Sequence, residues 1–555
     1  MTWPGRRRRL VELRRTWGQA VAHERRLDAI AASDASRRAA FATRALDVRT
    51  WTDLDLDAVF AAVDRTTSTL GQHALYYRLR TAPCGEHLRE FEALVERLRA
   101  DPASRERAQV ALSRLQDPHG YDVWWLGADD AVDPRPWYRF FPLLTAVTLG
   151  LAAAAIFWHG AIAAFLVMVA VNLAVRYATD GRTTAITRSV RQLAPLIATA
   201  ESLHFLDAAG CPSLIEPLRS DVPSLARLKL ISRWTNGNPF MLSFESSQLA
   251  LMLSDVIEVI YEYFNTAFLL DATGVHFALA DLRTHRSSVL RTAVSVGEVD
   301  AAISVASYRE GCGGWTSPRF TATGSGTELD DARHPLVLDA VPNSLVLTAG
   351  RGMLVTGSNM SGKSTFLRTV GVNAVLAQTI GTCLASRYSA PVLSVRSCIG
   401  RSDDLVGGKS YYLAEVEALL GLVRASGGDG PGPFLLDEIF RGTNACERIA
   451  AGEAVLRALV ATPSGRGTHD VCLAATHDAE LVDLLSDILE PWHFGDSLGA
   501  EGIAFDHRLR EGPATTRNAI ALLRFSGAPE ALVSRAAATA DRLDRQRGSA
   551  LTRRG

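Results

Sequence analysis

The stretch that decides the fold is MLVTGSNMSGKSTFL, Met353 to Leu367. An apolar strand runs into Gly357, and the pattern G-x-x-x-x-G-K-S closes at Ser364, where a helix begins. Phosphate chemistry needs this layout. Glycines let successive backbone N–H groups curl around phosphate oxygens, and the N-terminus of the following helix adds partial positive charge. Lys363 then reaches the β- and γ-phosphates of a nucleotide, and Ser364 offers its hydroxyl to Mg²⁺. Only Lys229, Lys363 and Lys409 are lysines among 59 basic residues, so a lysine-bearing motif rarely arises here by chance.

Two further strand ends belong with the first. FLLDEIFRGTN, Phe434 to Asn444, sets Asp437 and Glu438 at the carboxyl end of a short apolar run. Asp437 can hold the Mg²⁺ water shell, and Glu438 can orient and deprotonate an attacking water. An apolar run ending in acids is a weak signal alone and a strong one about 80 residues after a phosphate loop. LAATHDAEL, Leu473 to Leu481, ends a third strand with His477. A single histidine there is a cap or a packing residue; beside the other two motifs it reads as a sensor of the γ-phosphate.

Working outward, 555 residues suit several domains rather than one. With 47% hydrophobic and 21% charged residues the chain builds real cores, which excludes a disordered or fibrous protein. A net charge of −1 supplies no global field for nucleic acid. Seven scattered cysteines form no C-x-x-C pair, which excludes a disulfide scaffold and a cysteine-based zinc finger.

Residues 1–50 hold twelve arginines against five acids, starting at Arg6 to Arg9. No apolar run follows, which argues against a cleaved secretory signal. The segment reads either as a solvated helical arm or as a basic stretch lying on anionic lipid or nucleic acid. Helical texture fills 51–136 and 179–317, and glycines with β-branched runs mark an α/β unit over 318–525. A helical tail, 526–555, follows.

Between Arg139 and Arg176 lie 36 residues without a charge. As one helix they would span about 54 Å, against roughly 30 Å of hydrocarbon. His159-Gly160 divides them into Phe140–Trp158 and Ala161–Tyr177, each near one crossing length. The expectation is a transmembrane hairpin over 137–178. Arg135, Arg139, Arg176 and Arg182 place its ends, both termini and the α/β unit on the cytoplasmic side of the cell membrane. The competing reading is a buried helical hairpin in a soluble core.

The motif set resembles the MutS family of DNA mismatch-repair ATPases. TGSNMSGKST resembles the family's TGPNMxGKST with Ser358 for proline, DEIFRGTN resembles DEIGRGTS with Phe440 for glycine, and AATHDAEL resembles ATHYHEL. SDDLVGGKSYYLAEV, Ser402 to Val416, resembles SDDLxxGxSTFMxEM. RHPLV at Arg333, VPNSLVL at Val341 and FDHRLREGPATTRNAIALLRFSGAPEALVSRA fit as well. In the helical part, Val63 to Pro83 and VGEVDAAISVASYRE, Val296 to Glu310, echo the family core.

The resemblance implies a helical core followed by a P-loop, ABC-type α/β ATPase that uses ATP and Mg²⁺. It implies that Gly357, Ser358, Asn359, Met360, Ser361, Gly362, Lys363, Ser364 and Thr365 hold nucleotide. Ser364 and Asp437 would serve the metal, and Glu438, His477 and Lys363 the hydrolysis. Ser410 matches a serine that reaches the partner's nucleotide across a homodimer, and His507 a histidine near the adenine. The family's adenine-stacking aromatic falls on Ala340. The departures concern DNA: no mismatch-reading domain or Phe-x-Glu motif precedes the core, and the clamp that grips duplex DNA is not recognisable. Two functions stay open. One is a membrane-anchored, DNA-binding ATPase for mismatched or unusual DNA. The other is a membrane-bound ATPase scaffold with a protein or lipid partner. A transporter is disfavoured, since one hairpin supplies no translocation path.

Overall fold

The computed structural model describes residues 4–21, 25–41, 45–81, 85–116, 122–127, 136–178, 181–235, 263–348, 350–358, 360–399, 411–426, 432–461, 471–499, 502–514 and 519–551. The chain is a mixed helical and sheet protein with two compact units. Met1–Ala45 and Phe60–Gly313 form the first, and Leu46–Val59 and Gly314–Gly555 the second.

The first unit is helical. Its spine is the 42-residue helix Leu270–Gly311, about 63 Å long at 1.5 Å per residue. Helix Thr69–Thr81 crosses the spine's buried end, where glycines permit close approach of the two backbones. A Cβ on Gly71 would lie 2.3 Å from Asp300 Oδ2, and one on Gly297 would lie 2.9 Å from Leu70 O. Asp300 accepts hydrogen bonds from Thr67 N at 3.0 Å and from Ser68 N and Ser68 Oγ at 2.6 Å. Burial pushes its carboxyl up to about 6, an effect that these donors only partly offset.

Helices Pro4–Thr16 and Leu27–Phe41 carry arginines that pair with other groups of this unit. Arg14 pairs with Glu106 at 2.7 Å and Arg25 with Asp64 at 2.8 Å. Arg37 is buried, 3.5 Å from Glu298, with its guanidinium 3.8 Å from the Tyr77 ring centroid. A buried charge needs such partners; the Arg14 side chain is exposed.

The charge-free stretch forms helices Phe140–Phe157 and Gly160–Ala178, with the turn at Trp158-His159. Both are long and apolar enough to cross a membrane, and only 17% and 11% of their most apolar windows are buried. Thr145, Thr148 and Asn172 are the buried polar exceptions.

The second unit holds two sheets. Its strands are β1 Arg319–Phe320, β2 Thr327–Ala332, β3 Asn343–Leu347, β4 Gly352–Thr356 and β5 Arg387–Ala390. They continue with β6 Arg396–Cys398, β7 Pro433–Asp437, β8 Val471–Ala475, β9 Leu489–Gly499 and β10 Gly502–Glu511. The smaller sheet runs β1-β5-β2-β3 and the larger β10-β9-β4-β8-β7-β6. In the larger sheet every pairing is parallel except β9 with β10. Strands β4 and β8 are buried along their whole length, as expected of parallel strands covered on both faces. The register sets Val355 and Asp437 opposite Ala475, so the loops leaving β4, β7 and β8 emerge side by side.

Helix Val48–Asp53 belongs to the second unit. Thr50 Oγ1 accepts from Ser397 N at 3.0 Å, and Asp53 Oδ2 accepts from Ser397 Oγ at 2.8 Å and Ile399 N at 2.9 Å. These bonds fasten it along β6.

Candidate functional site

The loop after β4 is shaped by backbone conformations that favour glycine. Gly357 and Gly362 have φ of +143° and +118°. A Cβ on Gly357 would sit 2.9 Å from Phe494 O, and one on Gly362 would sit 3.4 Å from His507 Nδ1. Helix Lys363–Ile380 starts directly after the second glycine. Lys363 is buried, and its Nζ donates to the carbonyls of Gly357 and Ser358 at 2.9 Å each, pinning the loop into a ring. Burial lowers its ammonium to about 8, with Asp437 opposing and Arg441 adding to the shift.

Strand β7 delivers Asp437 and Glu438 beside that loop. Ser364 Oγ donates to Asp437 Oδ2 at 2.5 Å. Glu438 stands at φ +50°, its N–H bonded to Ala475 O at 2.9 Å. That conformation ends the strand and turns the carboxylate to His477, whose Nε2 lies 2.9 Å from Glu438 Oε1. Arg441 also pairs with Glu438. His477 Nε2 is 3.4 Å from Lys363 Nζ. Burial, then the charges of Lys363 and Arg441, lower the imidazole's pKa, which keeps it neutral near pH 7.

A cavity of about 410 Å³ opens over the loop. Ser358, Lys363, Ser364, Thr365 and Glu438 line one part, and Val337, Leu338, Ala340, Phe494 and His507 another. His507 Nδ1 lies 3.0 Å from Ser361 O, and the residue stands at φ +52° in the irregular register of β10. Asn343 fixes that irregularity: its Nδ2 donates to His507 O at 2.9 Å, and its Oδ1 accepts from Leu509 N at 2.7 Å. Met360 is 83% exposed at the rim. Asn359 and Ser410 lie outside the described residues.

The residues present fit a phosphate chain with a divalent cation. Asp437 Oδ1 is buried with no hydrogen-bond partner among the described residues, next to the hydroxyl a cation would share. Ser358 Oγ and Ser361 Oγ are likewise buried and unpartnered in the loop. Hard oxygen donors of this kind suit Mg²⁺.

The family described as MutS domain V matches residues 353–544. The DNA mismatch repair protein MutS of Natronomonas pharaonis is 34% identical over 263 residues, which is 45% of this chain and 29% of that protein. For MutS 2 of Halobacterium salinarum the figures are 33% over 276 residues, 47% and 30%. For MutS of Thermus aquaticus they are 34% over 242 residues, 43% and 28%. Residues 353–544 of this chain are a MutS domain V. The chain spans about three tenths of the length of these curated relatives.

In this MutS-like domain several site residues take their roles from contacts that no motif states. Glu415, on helix Tyr411–Ala425, accepts the Phe440 N–H at 2.9 Å. Phe440 stands at φ +61°, a backbone that favours the glycine of the family pattern. Its ring is buried in the cluster with Leu419, Leu456 and Leu481, so packing and the Glu415 bond hold the strained turn. Asn343 and Phe494 shape the cavity from other strands. Glu415, Phe440 and Asn343 lie inside SDDLVGGKSYYLAEV, DEIFRGTN and VPNSLVL, but these contacts carry no local signal there, and Phe494 lies in no motif.

Proposed function

We propose that this chain is a Mg²⁺-dependent ATPase of the MutS type that works as a homodimer. The observation that carries the reading is the meeting of Lys363, Ser364, Asp437, Glu438 and His477 at three adjacent strand ends beneath one cavity. Loop amides from Gly357 to Thr365 and Lys363 bind the phosphates. Ser364 and Asp437 hold Mg²⁺, which supplies charge neutralisation at the phosphoryl oxygens. Glu438 orients the attacking water and takes its proton. Neutral His477, protonated on Nε2, donates to Glu438 Oε1 and keeps that carboxylate in place. Ser410 serves the partner's nucleotide, and His507 borders the base where Ala340 supplies no stacking ring.

The relatives are DNA mismatch repair proteins, and DNA is the partner this reading assigns, with dimer closure as the mechanical output. Helices Phe140–Phe157 and Gly160–Ala178 anchor the protein in lipid with both termini cytoplasmic. Their exposed apolar surface also favours a second reading, a membrane-bound ATPase that remodels a protein or lipid partner.

Turnover by the reconstituted protein, with homoduplex, mismatched and branched DNA at stated salt, separates the two. Stimulation that weakens steeply with salt supports DNA as partner; indifference to every DNA supports the second reading. Normal turnover by Lys363→Ala would remove the phosphate assignment. Recovery of the protein in the soluble fraction without detergent would remove the anchor.

A further inference from the structure

Of the hairpin's three buried polar residues, Thr148 bonds within the hairpin, to Leu144 O and Asn172, while Thr145 and Asn172 also have partners on a different part of the chain. Residues 263–268 are helical and stop at Leu269, which stands at φ +53° before the long helix begins at Leu270. The break strands the last carbonyls of the short segment. Asp271 N donates to Asn265 Oδ1 at 2.8 Å, leaving Ala267 O without the bond that an unbroken helix would give it.

Side chains from the hairpin fill the gap. Asn172 Nδ2 donates to Ala267 O at 2.7 Å and to Thr148 Oγ1 at 2.9 Å. Thr145 Oγ1 donates to Phe268 O at 2.7 Å and lies 2.8 Å from Thr273 Oγ1. Arg176 donates to Thr266 Oγ1 at 2.8 Å. Carbonyls facing water would need no such caps; carbonyls in hydrocarbon must be satisfied by protein. Thr145 and Asn172 sit about 8–9 Å inside the open ends of the hairpin, at 1.5 Å per residue. Beside them Phe268 packs against Phe165 and Phe264, while Tyr263 and Phe264 remain 73% and 55% exposed, continuing the apolar surface of the hairpin.

We infer that residues 263–269 form a third membrane-embedded element, a broken helix end whose Tyr263 and Phe264 face lipid at the acyl–headgroup boundary. Aromatic side chains favour that level of a bilayer. The inference rests on the membrane reading of the hairpin and extends it. The bilayer then grips the long helix Leu270–Gly311 at its first turn, through the Thr145–Thr273 contact.

Photoactivatable acyl-chain phosphatidylcholine in liposomes holding the full chain tests this, with adducts mapped by mass spectrometry. Adducts on Tyr263 or Phe264 as well as on both hairpin helices are expected. Adducts on the hairpin alone overturn the third element and leave the anchor standing; adducts on neither overturn both. Asn172→Leu keeps the hairpin apolar and removes the cap. A severalfold loss of labelling at Tyr263 and Phe264, with hairpin labelling retained, is expected of it. Unchanged labelling at those two residues overturns the capping arrangement.

Discussion

Ser364 Oγ donates to Asp437 Oδ2 at 2.5 Å, while Asp437 Oδ1, in the same carboxylate, is buried without a partner among the described residues. The pair joins the first turn of one helix to the end of a strand 73 residues further on. A buried carboxylate oxygen left bare costs free energy unless a cation or water satisfies it. Asp437→Ala is therefore expected to abolish the Mg²⁺ dependence of nucleotide binding. Hydrolysis should fall by at least about 100-fold, the scale of losing one preorganised electrostatic group. Ser364→Ala should raise the Mg²⁺ concentration needed for half-maximal turnover. Mg²⁺ titrations of binding and turnover check both.

Glu438 and His477 should separate hydrolysis from binding. Glu438→Gln keeps the size of the side chain and removes the base, so turnover should drop about 10²- to 10⁴-fold, with nucleotide affinity retained. His477→Ala removes the group 2.9 Å from Glu438 Oε1 and should lower kcat with little change in affinity. Single-turnover hydrolysis beside equilibrium binding reads the two effects apart. Equal losses in affinity and rate would contradict the assigned roles.

The ammonium of Lys363 gives a pH dependence of known sign. Burial holds it at about 8 in the free protein, and a bound triphosphate would raise that value by adding negative charge beside it. Below pH 8 the group is charged in both states and affinity is flat. Above pH 8 binding takes up a proton, so affinity should fall by up to about tenfold per pH unit, the limit for one linked proton. Calorimetric titration of a non-hydrolysable ATP analogue between pH 6.5 and 9.5, in buffers of different ionisation enthalpy, measures both the slope and the proton.

What could be seen in the chain beforehand follows from range. Lys363 and Ser364 are legible because they close a glycine-rich loop after an apolar strand, and Asp437, Glu438 and His477 because they follow apolar runs at strand ends; parallel register then brings those ends together. Helix Val48–Asp53 is not legible as part of the second unit. Its bonds to Ser397 and Ile399 cross more than 340 positions and leave no periodic trace. The same holds for Asn343, whose amide shapes the His507 turn from another sheet. Arg37 misleads in the opposite direction. As composition it counts toward a basic arm, while its burial on Glu298 and Tyr77 depends on a fold that charge counting does not contain.

Gly71 offers the sharpest test of the helical unit. It is the one position in Thr69–Thr81 where an added methyl would fall 2.3 Å from a buried carboxylate oxygen, that of Asp300. The carboxylate has no room to retreat, since it accepts from Thr67 N, Ser68 N and Ser68 Oγ at 2.6–3.0 Å. Helix propensity alone favours alanine over glycine by about 1 kcal/mol, so a gain in stability is what an exposed site would show. Overpacking against a fixed buried group costs about 1–3 kcal/mol, and losing part of the Asp300 bonding adds to it. Gly71→Ala is thus expected to lower the unfolding midpoint of the helical unit while leaving the spectroscopic signature of the sheet-containing unit intact. Thermal unfolding of the variant, followed by circular dichroism, decides it: a raised midpoint would mean that the two helices do not approach as closely as Gly71 and Gly297 allow.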